Sequence, residues 1–227
     1  MQQIAGILFT KGRIGLMAQG FINTLIITFF AVLIGIVIGT ILAIFKVLPQ
    51  KKIISRVLSR IAGVYIGVIR GTPILVQLMI FYYIVFYGVR INSLFVAAIG
   101  FGINSGAYVA EIMRSGILAV DIGQTEAGRS LGLGYRDNMI LIVLPQALKN
   151  ILPALGNEAI MLVKETSVAS VITVTEFFNA IKLIGKASYN VTVPYLFSAL
   201  VYLVTVLLMT WGISRLEAYL RKGDMRQ

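Results

Sequence analysis

Phe21–Phe45 reads FINTLIITFFAVLIGIVIGTILAIF, twenty-five residues without one charged side chain. A helical crossing of the bilayer's hydrocarbon core takes about 20 apolar residues. This run is long enough to cross with some tilt. Its apolar character is continuous rather than alternating, which excludes a strand of a transmembrane barrel. Three further uncharged runs follow: Gly71–Val89, Ile91–Ala110 and Ala187–Ser214. Between Asn150 and Thr175 the chain is again apolar but carries Glu158, Lys164 and Glu165. We read that segment as a span with an ionisable face. The expectation is an all-α integral membrane protein of one domain with five transmembrane helices, about 19–45, 62–89, 91–114, 151–180 and 190–215. Four spans plus a re-entrant segment is the alternative.

Composition agrees. Of 227 residues, 58% are hydrophobic and 13% charged, against roughly 45–50% and 25% in soluble domains, and mean hydropathy is +0.91. A water-soluble globule of this size could not hide that much apolar surface. Without Cys or His there is neither a disulfide framework nor a thiolate or imidazole metal site. The net charge of +11 needs no nucleic acid partner if the basic residues sort to one side of a membrane. Lys46, Lys51, Lys52, Arg56 and Arg60 follow the first span. Arg114, Arg129, Arg136 and Lys149 follow the third, and Arg215, Arg221, Lys222 and Arg226 the fifth. Those thirteen face Lys11, Arg13, Arg90, Lys182 and Lys186 on the other side. The positive-inside rule then places the N-terminus outside and the C-terminus in the cytoplasm. Met1–Arg13 lacks an apolar run with a cleavage-like site, so no removable signal peptide is expected.

The informative loop is 121–149, DIGQTEAGRSLGLGYRDNMILIVLPQALK, amphipathic and on the basic side. Thr125 is a plausible N-cap, with Glu126 in the first turn, where the helix dipole favours a carboxylate. Gly132 and Gly134 break the helix. A second helix is expected through Val143, stopping before Pro145. Pattern alone leaves two readings, a protein-docking surface or an amphipathic helix resting on lipid headgroups.

Glu126-Ala127, Gly132 and Ile142-Val143-Leu144-Pro145 fall at the spacing of the EAA signature of ABC importer permeases, and the loop resembles it at every position but one. Gly128 stands where the third residue of the signature is usually Ala, which should loosen the first turn. Arg70–Gln77, Ala107–Arg114 and Leu152–Ser167 are similar to the polar amino acid permeases of the histidine, glutamine and arginine type. The resemblance implies a type I ABC importer permease fold in the prokaryotic cytoplasmic (inner) membrane. It also implies pairing with a second permease copy or homologue, two ATP-binding subunits docked on the EAA loops, and an extracytoplasmic amino acid binding protein. It assigns ATPase coupling to Glu126, Ala127, Gly132, Ile142, Leu144 and Pro145. Glu126 would brace or cap against the partner, Gly132 would permit the turn, and Pro145 would end the lever. No G-x-x-x-x-G-K-[ST] loop is present, since Ala180 stands where Gly185-Lys186 would need its first Gly. ATP and Mg are therefore expected on the partner, with no cofactor, metal or catalytic residue on this chain.

Ionisable groups inside a span are costly and are functional candidates by default. Glu158 and Glu165 are seven apart on one helix face, with Met161 between them; Asn157 and Lys164 share the neighbouring stripe. On the third span Asn104, Tyr108 and Glu111 form a polar stripe. If the two stripes face one another, they make a pocket for a zwitterion. The carboxylates outnumber Lys164, so the expected cargo is a basic amino acid (arginine, lysine or histidine) ahead of glutamine. The alternative is structural pairing, Glu111 with Arg114 and Lys164 with Glu158 or Glu165. Arg70 is read as snorkelling to headgroups or marking a break before Pro73, and Gly35 and Gly39 as a site of close helix approach. An ATPase-independent channel or carrier would need no docking loop, and a membrane-embedded enzyme would need a catalytic motif that is not evident.

Overall fold

The computed structural model describes residues 6–49 and 51–222. Arg226, the first residues of Met1–Arg13 and the Lys11 side chain lie outside the described residues. Among the described residues every regular element is helical. In order they are α1 (Lys11–Val47), α2 (Ile53–Arg70) and α3 (Ile74–Ile80, extended by a π turn, Phe81–Val85). Next come α4 (Ser93–Leu118), α5 (Ile122–Ser130) and α6 (Tyr135–Asn138), the last running through a π turn, Met139–Val143, into α7 (Leu144–Glu165). A 3₁₀ stretch (Thr166–Ile172), α8 (Phe177–Ala187) and α9 (Thr192–Leu220) complete the chain.

Gly12–Val47, Ser93–Leu118, Tyr135–Ile172 and Thr192–Leu220 are long and apolar enough to cross a membrane. The expected second span, 62–89, is not one helix: α2 and α3 meet at 103° and make a fifth span only if taken together. Pro73 is the cause. It has no N–H to donate and disfavours helical geometry at Thr72. Two side chains answer the carbonyls freed at the break: Thr72 Oγ1 donates to Val68 O (2.9 Å), and Gln77 Nε2 donates to Ile69 O (2.8 Å), Thr72 O (3.1 Å) and the Thr72 hydroxyl (2.7 Å).

The segment expected as a span over 151–180 is also redistributed. The helical run begins at Tyr135 and ends at Ile172, where Thr173 turns the chain with φ +67°. Residues from Phe177 onward form the separate helix α8. Lys182 and Lys186 therefore lie in that helix rather than in a loop, and the following turn holds Tyr189 at φ +51°.

The bundle is built around the α1–α4 seam. A Cβ on Gly35 would stand 2.8 Å from Ser105 Oγ, and one on Gly39 2.5 Å from Val109 Cγ1. On the facing helix, Gly102 and Gly106 receive Ile34 and Ile38 in the same way. Small residues four apart on both helices let the backbones close, and in lipid that close packing replaces the hydrophobic drive between helices. Ile27, Ala31, Leu78, Phe101, Leu162 and Ile172 form the main core. On α9, by contrast, the buried residues are Pro194 and Ser198, while Leu200, Leu203, Leu207 and Trp211 are exposed. That surface suits lipid or a partner subunit.

Three segments read as cytoplasmic share one end of the bundle. The Tyr135 hydroxyl donates to Val47 O at the end of α1 (3.3 Å). Asp121, Gln146, Lys149 and Arg221 line a common cavity of about 490 Å³.

Candidate functional site

The polar groups at membrane depth sort into two sets. On α7, Glu158 is half-buried and its Oε1 accepts from Ser105 Oγ of α4 (2.7 Å). Glu165 is also half-buried; the adjacent Lys164 acts on it electrostatically, and Lys164 is exposed. Among the described residues neither Glu158 nor Glu165 takes part in an ion pair. Asn157, Met161 and Lys164 are exposed, an open stripe of mixed polarity on α7.

The stripe on α4 is engaged elsewhere. Asn104 is buried and donates to Gln77 Oε1 (3.0 Å), so it braces the α2–α3 break. Tyr108 lies under the Arg70 guanidinium, 5.2 Å from its centre. This cation–π contact orients the guanidinium of Arg70, which stays exposed at the end of α2. Glu111 forms a bidentate pair with Arg114. No hydrogen bond or ion pair among the described residues joins Asn104, Tyr108 or Glu111 to Asn157, Glu158, Met161 or Glu165. Between these helices the polar link is Ser105 to Glu158, and Gly116 of α4 closes on Ile151 of α7.

The 121–149 segment is a helix, a turn and a second helix, as its glycines require, but its caps differ from expectation. α5 starts at Ile122, and its N-cap is Asp121, whose carboxylate accepts from Gly123 N (2.7 Å). Thr125 lies inside the helix, and Glu126 is exposed beyond the first turn. At the other end Gly132 takes φ +84°. Its N–H donates to Arg129 O (2.9 Å), and Leu133 N donates to Gly128 O (3.1 Å). This is a Schellman cap, and its left-handed position favours glycine.

Pro145 does not stop the second helix. The π turn at Met139–Val143 precedes it, and Pro145 falls in the first turn of α7, where a missing N–H is tolerated. The lever therefore continues without a stop into the fourth span. α5 is tied to that lever by Asn138 Nδ2 to Thr125 O (2.7 Å) and Gln146 Nε2 to Gln124 Oε1 (3.3 Å). Ile142 and Leu144 are half-buried, whereas Ala127 and Pro145 are exposed. Leu118 before α5, Ile122 at its start and Leu131 at its end are 66–82% exposed, and Glu126 between them is exposed too.

Residues 35–222 match the family described as the binding-protein-dependent transport system inner membrane component. The chain belongs to this family. The permease is 36% identical over 217 residues to the arginine transport system permease protein ArtQ of Bacillus subtilis (strain 168), covering 95% of this chain and 97% of that one. It is 38% identical over 201 residues to a Rickettsia bellii (strain RML369-C) permease named for glutamine transport, covering 88% and 90%. Among solved structures, an amino acid ABC transporter crystallised with histidines aligns with TM-score 0.84 and 40% identity over 90% of this chain and 94% of that one. An inward-facing methionine ABC transporter shares the fold, with TM-score 0.78 and 22% identity over 93% and 99%. The protein is thus an amino acid ABC transporter permease, a multi-pass inner membrane component. It is a translocation subunit rather than an enzyme, and ATP is hydrolysed on a separate subunit.

Sequence reasoning missed Glu176, which is fully buried. Both its oxygens accept backbone N–H groups at the head of α8, from Phe178 and Asn179 (each 2.6 Å). The Tyr202 hydroxyl adds a longer contact of 3.4 Å. Thr24 and Asn23 of α1 bind the same turn, Thr24 Oγ1 accepting from Phe177 N (3.2 Å) and Asn23 Nδ2 donating to Thr175 O (2.8 Å). Glu lies outside the usual capping residues, so the cap carried no sequence signal.

Proposed function

We propose that the permease imports a cationic amino acid such as arginine, lysine or histidine, and that Glu158 and Glu165 on α7 attract the charged cargo. The observation that carries the reading is the pair of half-buried carboxylates on one helix face, neither held in an ion pair. In a low-dielectric site an uncompensated carboxylate favours a cationic guest. Asn157, Met161 and Lys164 form the open stripe beside them, with Lys164 available for the cargo's carboxylate. Asn104 braces the α2–α3 break through Gln77, and Tyr108 and Glu111 are held in contacts of their own. Glutamine is the second reading, favoured by the Rickettsia bellii relative and by the neutral Ser105 partner of Glu158.

In this reading two copies, or this chain and a homologue, form the pathway. Two ATP-binding subunits carrying ATP and Mg dock on the exposed face of α5 around Glu126 and Ala127. Gly132 fixes the turn, and Ile142, Leu144 and Pro145 transmit the motion into α7. A binding protein delivers the cargo from outside, with the N-terminus outside and the C-terminus in the cytoplasm. The test is uptake of radiolabelled arginine and glutamine by the reconstituted transporter, parent against Glu158→Gln. The expected result is preferred arginine uptake that falls at least tenfold in the variant, a loss of about 1.4 kcal/mol. Preferred glutamine uptake, or arginine uptake indifferent to the charge, would overturn the electrostatic reading.

A further inference from the structure

A second cavity, of about 340 Å³, lies at the root of the lever, between the ends of α1 and α4 and the start of α7. Its wall is formed by Ala43, Ile44, Val47 and Leu48 of α1, Met113 and Ile117 of α4, and Tyr135, Met139, Leu144, Leu148 and Ile151 of the lever. The two polar groups on that wall are already satisfied. Thr40 Oγ1 donates to Ile36 O (2.6 Å) and faces Met113 Sδ (3.4 Å), and Tyr135 donates to Val47 O. Both hydroxyl protons are committed and the rest of the wall is apolar, so water gains little here and a cavity of this kind takes an apolar guest. Ile44, Leu48, Tyr135 and Leu148 are exposed, so the cavity opens sideways.

The segments that flank the mouth carry more cations than carboxylates, Asp137 being the acid beside Arg136. Arg129 is close enough to act electrostatically on Tyr135, Arg136 is the next residue, and Lys51 and Lys52 follow the end of α1; all four are exposed. An apolar slot at the end of a membrane span, with cations at its opening, has the form of a site for one acyl chain and its anionic headgroup. We propose that this cavity binds an anionic phospholipid of the cytoplasmic leaflet, the chain inserted between α1 and the lever and the phosphate answered by Arg129 and Arg136. The proposal rests on the sidedness given above and not on the cargo. A chain seated there braces α6–α7 against α1, and so ties the position of the coupling helix to lipid composition.

The test uses the assembled transporter in phosphatidylcholine vesicles doped with phosphatidylglycerol carrying a photoactivatable diazirine in one acyl chain, with the same tail on phosphatidylcholine as the control. Adducts are mapped by mass spectrometry, and labelling does not depend on which amino acid is carried. Expected are adducts on the peptides holding Met113–Ile117 and Met139–Leu148, stronger with phosphatidylglycerol. Ala43→Leu and, independently, Ile117→Phe should fill the cavity and suppress the adducts. Arg136→Gln should reduce the headgroup preference about fivefold, as expected for about 1 kcal/mol per basic residue near an anionic surface. Adducts absent from both peptides, equal with the two headgroups, or unchanged in both filled variants would overturn the proposal. So would adducts seen with the isolated permease but lost in the assembled complex, which would give the cavity to a partner subunit.

Discussion

At Gly128 two effects of similar size act in opposite directions. It stands where the signature this loop resembles usually has alanine, and in a helix interior alanine is favoured over glycine by about 1 kcal/mol. The site leaves no room for the methyl group. A Cβ would stand 2.8 Å from both Asn138 Oδ1 and Ile142 Cδ1 and 2.9 Å from Asn138 Cγ. Asn138 is buried, and its Nδ2 is anchored on Thr125 O, so it cannot withdraw without losing that bond. Overpacking of this kind costs about 1–3 kcal/mol, which outweighs the propensity gain. Gly128→Ala should therefore destabilise the permease by about 1 kcal/mol net. Thermal unfolding of the purified protein should show a lower midpoint, and adding Asn138→Ser to Gly128→Ala should cost less than the two separate losses combined. An unchanged or raised midpoint in the single variant would refute the steric account. Gly132 differs in kind: nothing lies within 4 Å of its would-be Cβ, and its positive φ is the whole constraint.

Among the elements, the α2–α3 break depends most on a single side chain. Gln77 satisfies carbonyls on the near side of the bend and accepts from Asn104, and both side chains are buried. Leaving a buried polar group without its partner costs about 1–3 kcal/mol. Gln77→Leu orphans several groups at once, so it should destabilise more than Asn104→Leu. Adding Asn104→Leu to Gln77→Leu should cost less than the two separate losses combined, because the second change removes a group the first had already orphaned. Chemical or thermal unfolding of the three variants reads this directly, and strict additivity would count against it. The same elements show how far sequence carries. The spans were legible because apolar length is itself the physical requirement, and the helix–turn–helix of 121–149 because its Gly132 is a backbone requirement. The 103° bend was not, since Pro73 announces a break but its angle depends on Gln77 reaching back across it. Nor was the continuation past Pro145, because a π turn can absorb a proline that pattern reasoning treats as a stop. In the candidate site, the carboxylates of α7 were visible as charges in an apolar run. Their neighbour Ser105 was not, because serine at a helix seam leaves no hydropathy signal.

For the whole molecule, the arrangement fixes which ends lie together, and the charges decide which side they face. The C-terminal ends of α1, α4 and α9 and the α5–α6 turn lie at one end of the bundle, joined by the Tyr135–Val47 contact and the cavity that Asp121 shares with Arg221. Most of the basic residues are there, including Lys46, Arg129, Arg136, Lys149 and Arg221. The opposite end holds the α8–α9 turn, where Tyr189 is 99% exposed. Basic residues near short loops are retained on the cytoplasmic side during insertion. The proposed docking of an ATPase on α5 demands the same orientation. A phosphatase reporter, active only outside, should therefore be silent when fused after Gln227 and active when inserted at Tyr189–Asn190, with a cytoplasm-active reporter giving the reverse. Both sites should be tested, because the bent α2–α3 pair leaves the number of crossings dependent on whether it counts as a span. The α8–α9 turn and the end of α9 are separated by one uninterrupted helix, so the two reporters must disagree with each other whichever way the protein is inserted. Agreement between them would mean that α9 does not cross. Disagreement in the reversed sense would place α5 outside, beyond the reach of any ATPase, and the coupling assignment would fall with it.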